Sequence, residues 1–73
     1  MILYIVTKSP LKPGLKGSTQ TFHNYREANT NFMKICAELG YEYKPGKEVN
    51  SEREFIGPDY KITLIIEEEE EES

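Results

Sequence analysis

One amphipathic stretch, between Asn24 and Gly40, constrains the fold of this chain more than any other feature. Asn24 is suited to cap a helix because its side-chain oxygen accepts a bond from an orphaned backbone N–H, and Glu27 completes a capping-box spacing. Gly40 lies where a left-handed residue ends a helix. The apolar residues between them fall at helical spacing on one stripe and are Tyr25, Ala28, Phe32, Ile35, Cys36 and Leu39. The pattern predicts a helix over residues 24–39 that needs an apolar surface to cover.

Three further segments predict the strands that supply this surface. Residues 2–7 are apolar on both faces, which is typical of a central strand. Residues 52–56 predict a second strand and residues 60–66 a third. In the third segment the two faces consist of Tyr60, Ile62, Leu64 and Ile66 on one side and Lys61, Thr63 and Ile65 on the other. Because only residues 57–59 lie between the last two segments, they are expected to form an antiparallel hairpin.

The element order β-α-β-β indicates an α+β fold. We expect a single small domain over residues 1–66, in which the amphipathic helix packs on a three-stranded sheet that ends in the C-terminal antiparallel hairpin. Residues 67–73 then form an acidic C-terminal tail. Residues 9–20 hold two prolines and two glycines, which disfavour regular structure, so a long loop is expected there. The composition of residues 44–47 predicts a turn.

Cysteine and hydropathy bear on where the chain resides. The single cysteine, Cys36, has no partner for an internal disulfide, which favours a reducing cytoplasm. No apolar run approaches the roughly 20 residues that cross a membrane. The apolar start, residues 1–7, also lacks the positive residues that open a signal peptide. We therefore expect a cytoplasmic chain with no membrane partner.

No catalytic, cofactor or metal site is expected. His23 is the only histidine, and a dyad with Cys36 is disfavoured because the helix stripe turns that thiol toward the core. The segment KPGLKG, residues 12–17, lacks the GKS or GKT ending of a phosphate-binding loop and opens onto no helix. A chain of 73 residues also leaves little room for an enclosed active site, so an enzyme is not expected.

Charge is distributed unevenly along the chain. Residues 1–47 hold seven basic and three acidic groups, a net of +4, whereas residues 48–73 hold two basic and ten acidic groups, a net of −8. Without the six glutamates at 67–72, the net charge of −4 would become +2. Three interpretations stay open, namely a solvated tail, a divalent-cation site and an electrostatic decoy for a basic partner. The cation site is disfavoured because consecutive glutamates lack the spaced ligands of a calcium loop.

The decoy interpretation follows from charge spacing. Duplex DNA carries one negative charge per about 1.7 Å of its axis, and an extended chain advances about 3.3 Å per residue. A glutamate run that continues a strand therefore comes within a factor of about two of the charge density of DNA. Aromatic residues adjoin acids rather than bases, which favours protein contacts over base stacking. The expected partner-binding residues are Glu48, Glu52, Glu54, Asp59, Glu67, Glu68, Glu69, Glu70, Glu71, Glu72, Tyr41, Tyr43, Phe55 and Tyr60.

The chain size, the β-α-β-β order and these acidic residues resemble the early proteins with which bacteriophages take over their hosts. Within that group the chain is similar to the DNA-mimicking inhibitors, such as the one that blocks the bacterial histone-like nucleoid protein HU. The resemblance implies a non-enzymatic inhibitor in the host cytoplasm that occupies the DNA-binding surface of a basic, HU-like protein and binds no nucleic acid itself.

Two alternatives stay open beside this interpretation. A small nucleic-acid-binding module would use the basic residues of the N-terminal half, with the acidic tail as an internal competitor. Those basic residues are Lys8, Lys12, Lys16 and Arg26. A structural or assembly subunit would instead pair through an exposed strand edge.

Overall fold

The computed structural model describes residues 1–44 and 50–69, and the chain forms a four-stranded antiparallel sheet with one helix across one face. The elements in chain order are β1 (Ile2–Pro10), β2 (Ser18–Phe22), α1 (Tyr25–Glu38), β3 (Arg53–Ile56) and β4 (Tyr60–Glu68). The strand order across the sheet is β2-β1-β4-β3. The predicted α+β class, the single helix and the C-terminal hairpin are confirmed.

The sheet has one strand more than the sequence predicted. Residues 9–20 were expected to form a loop, which is wrong at both ends, because β1 continues to Pro10 and β2 begins at Ser18. β2 returns along β1 with Tyr4 opposite Phe22 and Lys8 opposite Ser18. Ladder hydrogen bonds with β1 hold β2 in place, since its residues are exposed except for the half-buried Phe22.

The helix begins and ends as its sequence predicted. The Asn24 side-chain oxygen accepts a hydrogen bond from the Glu27 backbone N–H at 2.8 Å, which satisfies one of the orphaned donors of the first turn. Gly40 follows the last turn with φ of 74°, the left-handed conformation that a residue with a side chain adopts at a cost. The observed helix, Tyr25–Glu38, therefore matches the predicted range of 24–39.

β1 and β4 form the centre of the sheet and the longest pairing in the molecule. Their register runs from Ile2 opposite Glu68 to Pro10 opposite Tyr60. β4 therefore extends two residues past the predicted end at Ile66, and Glu67 and Glu68 are strand residues rather than part of a tail. Glu67 and Glu68 can belong to the strand because the backbone hydrogen bonds between strands do not depend on side-chain polarity.

The core lies between α1 and one face of the sheet. Six apolar residues are buried there and are Val6, Ala28, Phe32, Cys36, Ile62 and Leu64. The alternation predicted for β4 is confirmed, because Ile62 and Leu64 are fully buried whereas Ile65 is 41% exposed. One layer of helix on one sheet makes the molecule thin, with extents of 43 × 30 × 14 Å.

The second face of the sheet, which we call the open face, has no helix or strand packed on it within the described chain. Its residues are Leu3, Ile5, Thr7 and Ser9 of β1, Lys61, Thr63, Ile65 and Glu67 of β4, Thr19 and Thr21 of β2, and Glu54 and Ile56 of β3. Ile5 and Ile65 stand opposite each other at its centre. An antiparallel sheet tolerates water on one face, but polar side chains normally occupy that face.

Candidate functional site

The central strand pair extends beyond the two edge strands at one end of the sheet. β3 begins at Arg53, opposite Leu64, and β2 ends at Phe22, opposite Tyr4. Beyond these positions no other strand of the described residues pairs with β1 or β4, and this two-stranded end carries exposed carboxylates. We call it the acidic pole; its members are Glu52, Glu67, Glu68 and Glu69.

Glu52 joins the acidic pole through a backbone contact. Its Oε2 accepts a hydrogen bond from the Ile66 backbone N–H at 2.9 Å. The backbone N–H of Ile66 points to the side of β4 on which β3 pairs, but β3 begins only at Arg53. The Glu52 carboxylate thus replaces a missing rung of the ladder and is held beside the glutamates of β4. A charged acceptor makes such a bond stronger than a neutral one.

The strand pairing continues to the last described residue. The Glu69 backbone N–H donates to the Met1 carbonyl at 2.8 Å, and the Met1 amino group donates to the Glu69 carbonyl at 2.9 Å. Glu67 and Glu69 therefore keep the strand alternation and face the open side, with Glu68 on the other side. The Met1 ammonium group adds one positive charge at this end and offsets part of the negative charge.

Two of the predicted partner-binding acids lie elsewhere and are paired with lysines. Glu54 forms an ion pair with Lys61 at 3.3 Å. Asp59 forms one with Lys12 at 2.8 Å, and the hydrogen bond and charge of Asp59 raise the pKa of Lys12. Asp59 precedes β4, so the length of that strand, about 26 Å, separates it from the acidic pole.

The structure thus divides the predicted acidic surface. It brings Glu52 together with Glu67, Glu68 and Glu69 and does not bring Asp59 to them. Glu48, Glu70, Glu71 and Glu72 lie outside the described residues. Among the residues that are described, both ion pairs involve acids away from the pole.

The predicted aromatic residues lie on the helix side of the sheet. Tyr41 stacks on Phe55 with ring centroids 5.2 Å apart. Tyr43 contacts Phe55 edge to face at 6.2 Å and Phe32 at 5.0 Å. Tyr60 lies under the Lys8 ammonium, 5.0 Å from its ring centroid. These half-buried rings pack against the core.

A hydrogen-bond network that the sequence did not predict holds the residues at the start of β3 in place. Arg53 Nε donates to Tyr25 Oη at 2.8 Å, and Tyr25 Oη donates to the Ser51 carbonyl at 3.1 Å. Partial burial disfavours the charge on Arg53, but its contacts with Tyr25 and Tyr43 outweigh that effect and raise the pKa of the guanidinium. Because Ser51 and Arg53 flank Glu52, this network positions the Glu52 carboxylate. An arginine at a strand start gives no sequence signal for such a role.

The two residues considered for catalysis lie in different environments, one buried and one exposed. Cys36 is 1% exposed within the core, and burial raises the pKa of its thiol. His23 is exposed between β2 and α1. Within residues 1–44 and 50–69, no three His, Cys, Asp or Glu side chains are grouped so as to hold a metal ion.

Comparison with family models, with curated proteins and with solved structures gives no match for this chain. In the part of the chain that the structure describes, α1 is too short and too polar to span a membrane, and no other helix is present there.

Proposed function

We propose that this chain is a non-enzymatic inhibitor, a DNA mimic that binds a basic bacterial DNA-binding protein and occludes its DNA-binding surface. HU is the proposed target, and the bacterial cytoplasm is the proposed location. The observation that carries the proposal is the acidic pole, where four carboxylates are exposed at the end of the rigid β1–β4 pair. Two of them, on Glu67 and Glu68, are held in a strand rather than on a loose tail.

Charge spacing supports the mimicry. One strand of B-DNA carries a phosphate per about 3.4 Å of axis, and a β-strand advances about 3.3 Å per residue. Consecutive glutamates in an extended strand therefore match the linear charge density of one DNA strand. Glu52 lies beside this line and widens it, because its carboxylate is fixed to Ile66 of β4.

Apolar contacts at the same end add affinity to the charge attraction. Exposed charges attract each other by only about 1 kcal/mol at contact in water, so charge alone gives steering more than tight binding. Met1 and Ile2 are 55% and 47% exposed and adjoin Glu68 and Glu69 in the β1–β4 ladder. These two side chains take the place of the aromatic partner contacts expected from the sequence, since the aromatic rings pack on the core.

The nucleic-acid-binding alternative draws less support from the structure. Of its four basic residues, Lys12 is paired with Asp59 and Lys8 lies over the Tyr60 ring. Lys16 and Arg26 are exposed on the loop before β2 and on α1. The four side chains are therefore divided among separate contacts and elements instead of forming one phosphate-binding strip of the kind that such a module requires.

Competition for DNA tests the proposal. Purified HU bound to a fluorescent duplex is titrated with the full chain, and DNA release is followed by anisotropy at about 50 and 200 mM salt, because charge-driven binding weakens steeply over that range. We expect displacement at the lower salt concentration and at least tenfold weaker competition at the higher one. An unchanged anisotropy at both concentrations, or competition that is indifferent to salt, contradicts the proposal.

A pair of matched variants separates the acidic pole from net charge. The double substitution Glu67→Gln with Glu69→Gln removes two charges from the pole. Glu38→Gln with Glu42→Gln removes the same number at the exposed end of α1 and beyond it. The first pair is expected to weaken competition at least tenfold and the second less than twofold. Equal losses would show that the pole has no special role.

A further inference from the structure

We propose that the open face of the sheet is a homodimer interface, on which a second copy of this chain packs its own open face in an antiparallel direction. This inference concerns the chain alone and does not depend on the target of the acidic pole, but Glu67 and Glu69 belong to both surfaces. At the centre of the face, the opposed pair Ile5 and Ile65 adjoins Leu3, and Ile65 is 41% exposed. Ile56, 64% exposed, lies on the same face but opposite Lys61, four residues along β4 from Ile65. Apolar side chains gathered on one exposed face mark an interaction surface.

The shape of the face favours a second sheet over a peptide or a small ligand. Threonines surround the central isoleucines, with Thr7 opposite Thr63 and Thr19 opposite Thr7. The centre of the face is dominated by β-branched side chains, and within the described residues no helix lies on this face to form a groove. Two sheets of this kind pack face to face at about 10 Å with their strands aligned to within about 30°.

The area suits a weak but specific dimer. The four strands contain 27 residues, from 9, 5, 4 and 9. At about 3.3 Å along the strand and 4.8 Å between strands, they give a flat footprint of roughly 400 Å². The side chains raise the accessible area above this figure, toward the roughly 600 Å² per partner at the lower end of specific interfaces. An area at this lower limit predicts a weak dimer.

Charge complementarity selects the antiparallel arrangement. Consider a two-fold axis that lies between the two sheets, beside Ile65, and runs across β4 at a right angle. It places Lys61 of one copy against Glu69 of the other, because each lies four residues from Ile65 on the open side. Thr63 then meets Glu67 of the second copy. Lys61 already pairs with Glu54 at 3.3 Å on the same face, and it joins both carboxylates in the dimer. With parallel strands, Glu67 and Glu69 would face their own copies and repel them.

Sedimentation equilibrium of the purified full chain, from about 10 to 300 μM, tests the dimer without any partner present. The wild-type chain is expected to show a monomer–dimer equilibrium, and Ile65→Glu to weaken it at least tenfold. Leu15→Glu is the matched control, because Leu15 is also exposed, at 37%, but lies in the loop before β2. Circular dichroism verifies that both variants fold. A monomeric wild-type chain, or equal losses in both variants, overturns the interface.

A charge exchange tests the direction of packing. Lys61→Glu and Glu69→Lys each place like charges opposite one another in the antiparallel dimer, so each alone is expected to weaken it. The two substitutions together restore opposite charges and are expected to return the dissociation constant to within about threefold of wild type. Failure of the double variant to recover, in a chain that still dimerises through Ile65, overturns the antiparallel arrangement. A chain that dimerises but does not displace HU would support the interface and contradict the proposed function. A monomeric chain that displaces HU would do the opposite.

Discussion

The carboxylate of Glu52 accepts a hydrogen bond from the backbone N–H of Ile66 at 2.9 Å and so occupies the place that the next rung of β3 would take. β3 begins at Arg53, so the edge of β4 would otherwise expose an unpaired donor at this point. A side chain that satisfies the edge also discourages another strand from adding there. The same carboxylate contributes to the acidic pole, so one residue joins local stability to the proposed function.

Replacement of Glu52 by alanine is expected to loosen this edge. The lost hydrogen bond should cost about 0.5–1.5 kcal/mol, and the Ile66 amide proton should exchange with solvent faster. Amide hydrogen exchange followed by NMR, with urea unfolding for the global free energy, measures both effects. Glu52→Gln is the control, because its side-chain carbonyl still accepts the bond without the charge. Unchanged exchange at Ile66 in the alanine variant would mean that the contact contributes nothing.

Gly57 is expected to resist enlargement because the Tyr41 ring occupies the space of its missing side chain. A Cβ at Gly57 would overlap that ring, at 2.7 Å from Oη. The same hydroxyl oxygen accepts bonds from the backbone N–H groups of Asp59 and Tyr60, at 3.3 and 3.2 Å, so the ring cannot withdraw freely. Gly57→Ala should therefore cost about 1–3 kcal/mol of unfolding free energy by overpacking.

A double-mutant cycle isolates this contact. In a Tyr41→Ala background the ring is gone, and Gly57→Ala is expected to cost little more. In a Tyr41→Phe background the ring remains stacked on Phe55 but loses the bonds of its hydroxyl, so the cost should be intermediate. Urea unfolding of the three single and two double variants, beside the wild type, gives the coupling. Simple additivity with Tyr41→Ala would show that the ring and the glycine do not constrain each other.

The residues that could be predicted from the sequence are those whose local backbone requirements are the same in any fold. Asn24 and Gly40 mark the ends of α1 by backbone requirements that hold in any fold. β2 was missed for the opposite reason. Its sequence, Ser18–Phe22, has no apolar alternation, and its pairing with β1 supplies a stability that is visible only in three dimensions.

The candidate site was predictable only in part. Asp59 precedes β4 and Glu67 lies near its end, so the length of the predicted strand already implied their separation. The position of Glu52 was not, because it depends on where β3 starts relative to β4. Tyr41 and Tyr43 were expected to bind a partner, but which face they join depends on the path of the chain after α1.

Phe32 is expected to be the side chain on which the small core depends most. It is fully buried and packs edge to face on Tyr43 at 5.0 Å. A chain of 73 residues has a total stability of roughly 4–11 kcal/mol, and Phe→Ala in a core costs about 3–5 kcal/mol. Phe32→Ala should therefore unfold much of the protein at 25 °C, whereas Phe32→Leu keeps most of the volume and should remain folded. Thermal melts followed by circular dichroism decide between these outcomes, and a cooperative, nearly unshifted melt for Phe32→Ala would contradict the assignment of the core.

Cys36 is expected to make stability fall in alkaline solution. Burial raises the pKa of its thiol in the folded state, whereas in the unfolded chain it ionises near its usual value of about 8.5. Below that value both states hold the proton and the contribution is fully present. As the pH rises through the unfolded value toward the raised one, the unfolded state gains charge first and stability is lost.

Urea unfolding from pH 7 to 10 measures this loss. The difference in unfolding free energy between wild type and Cys36→Ala should shrink as pH increases, since alanine removes only the titration of this thiol. A difference that stays constant over the whole range would show that the thiol is accessible to water in the folded protein.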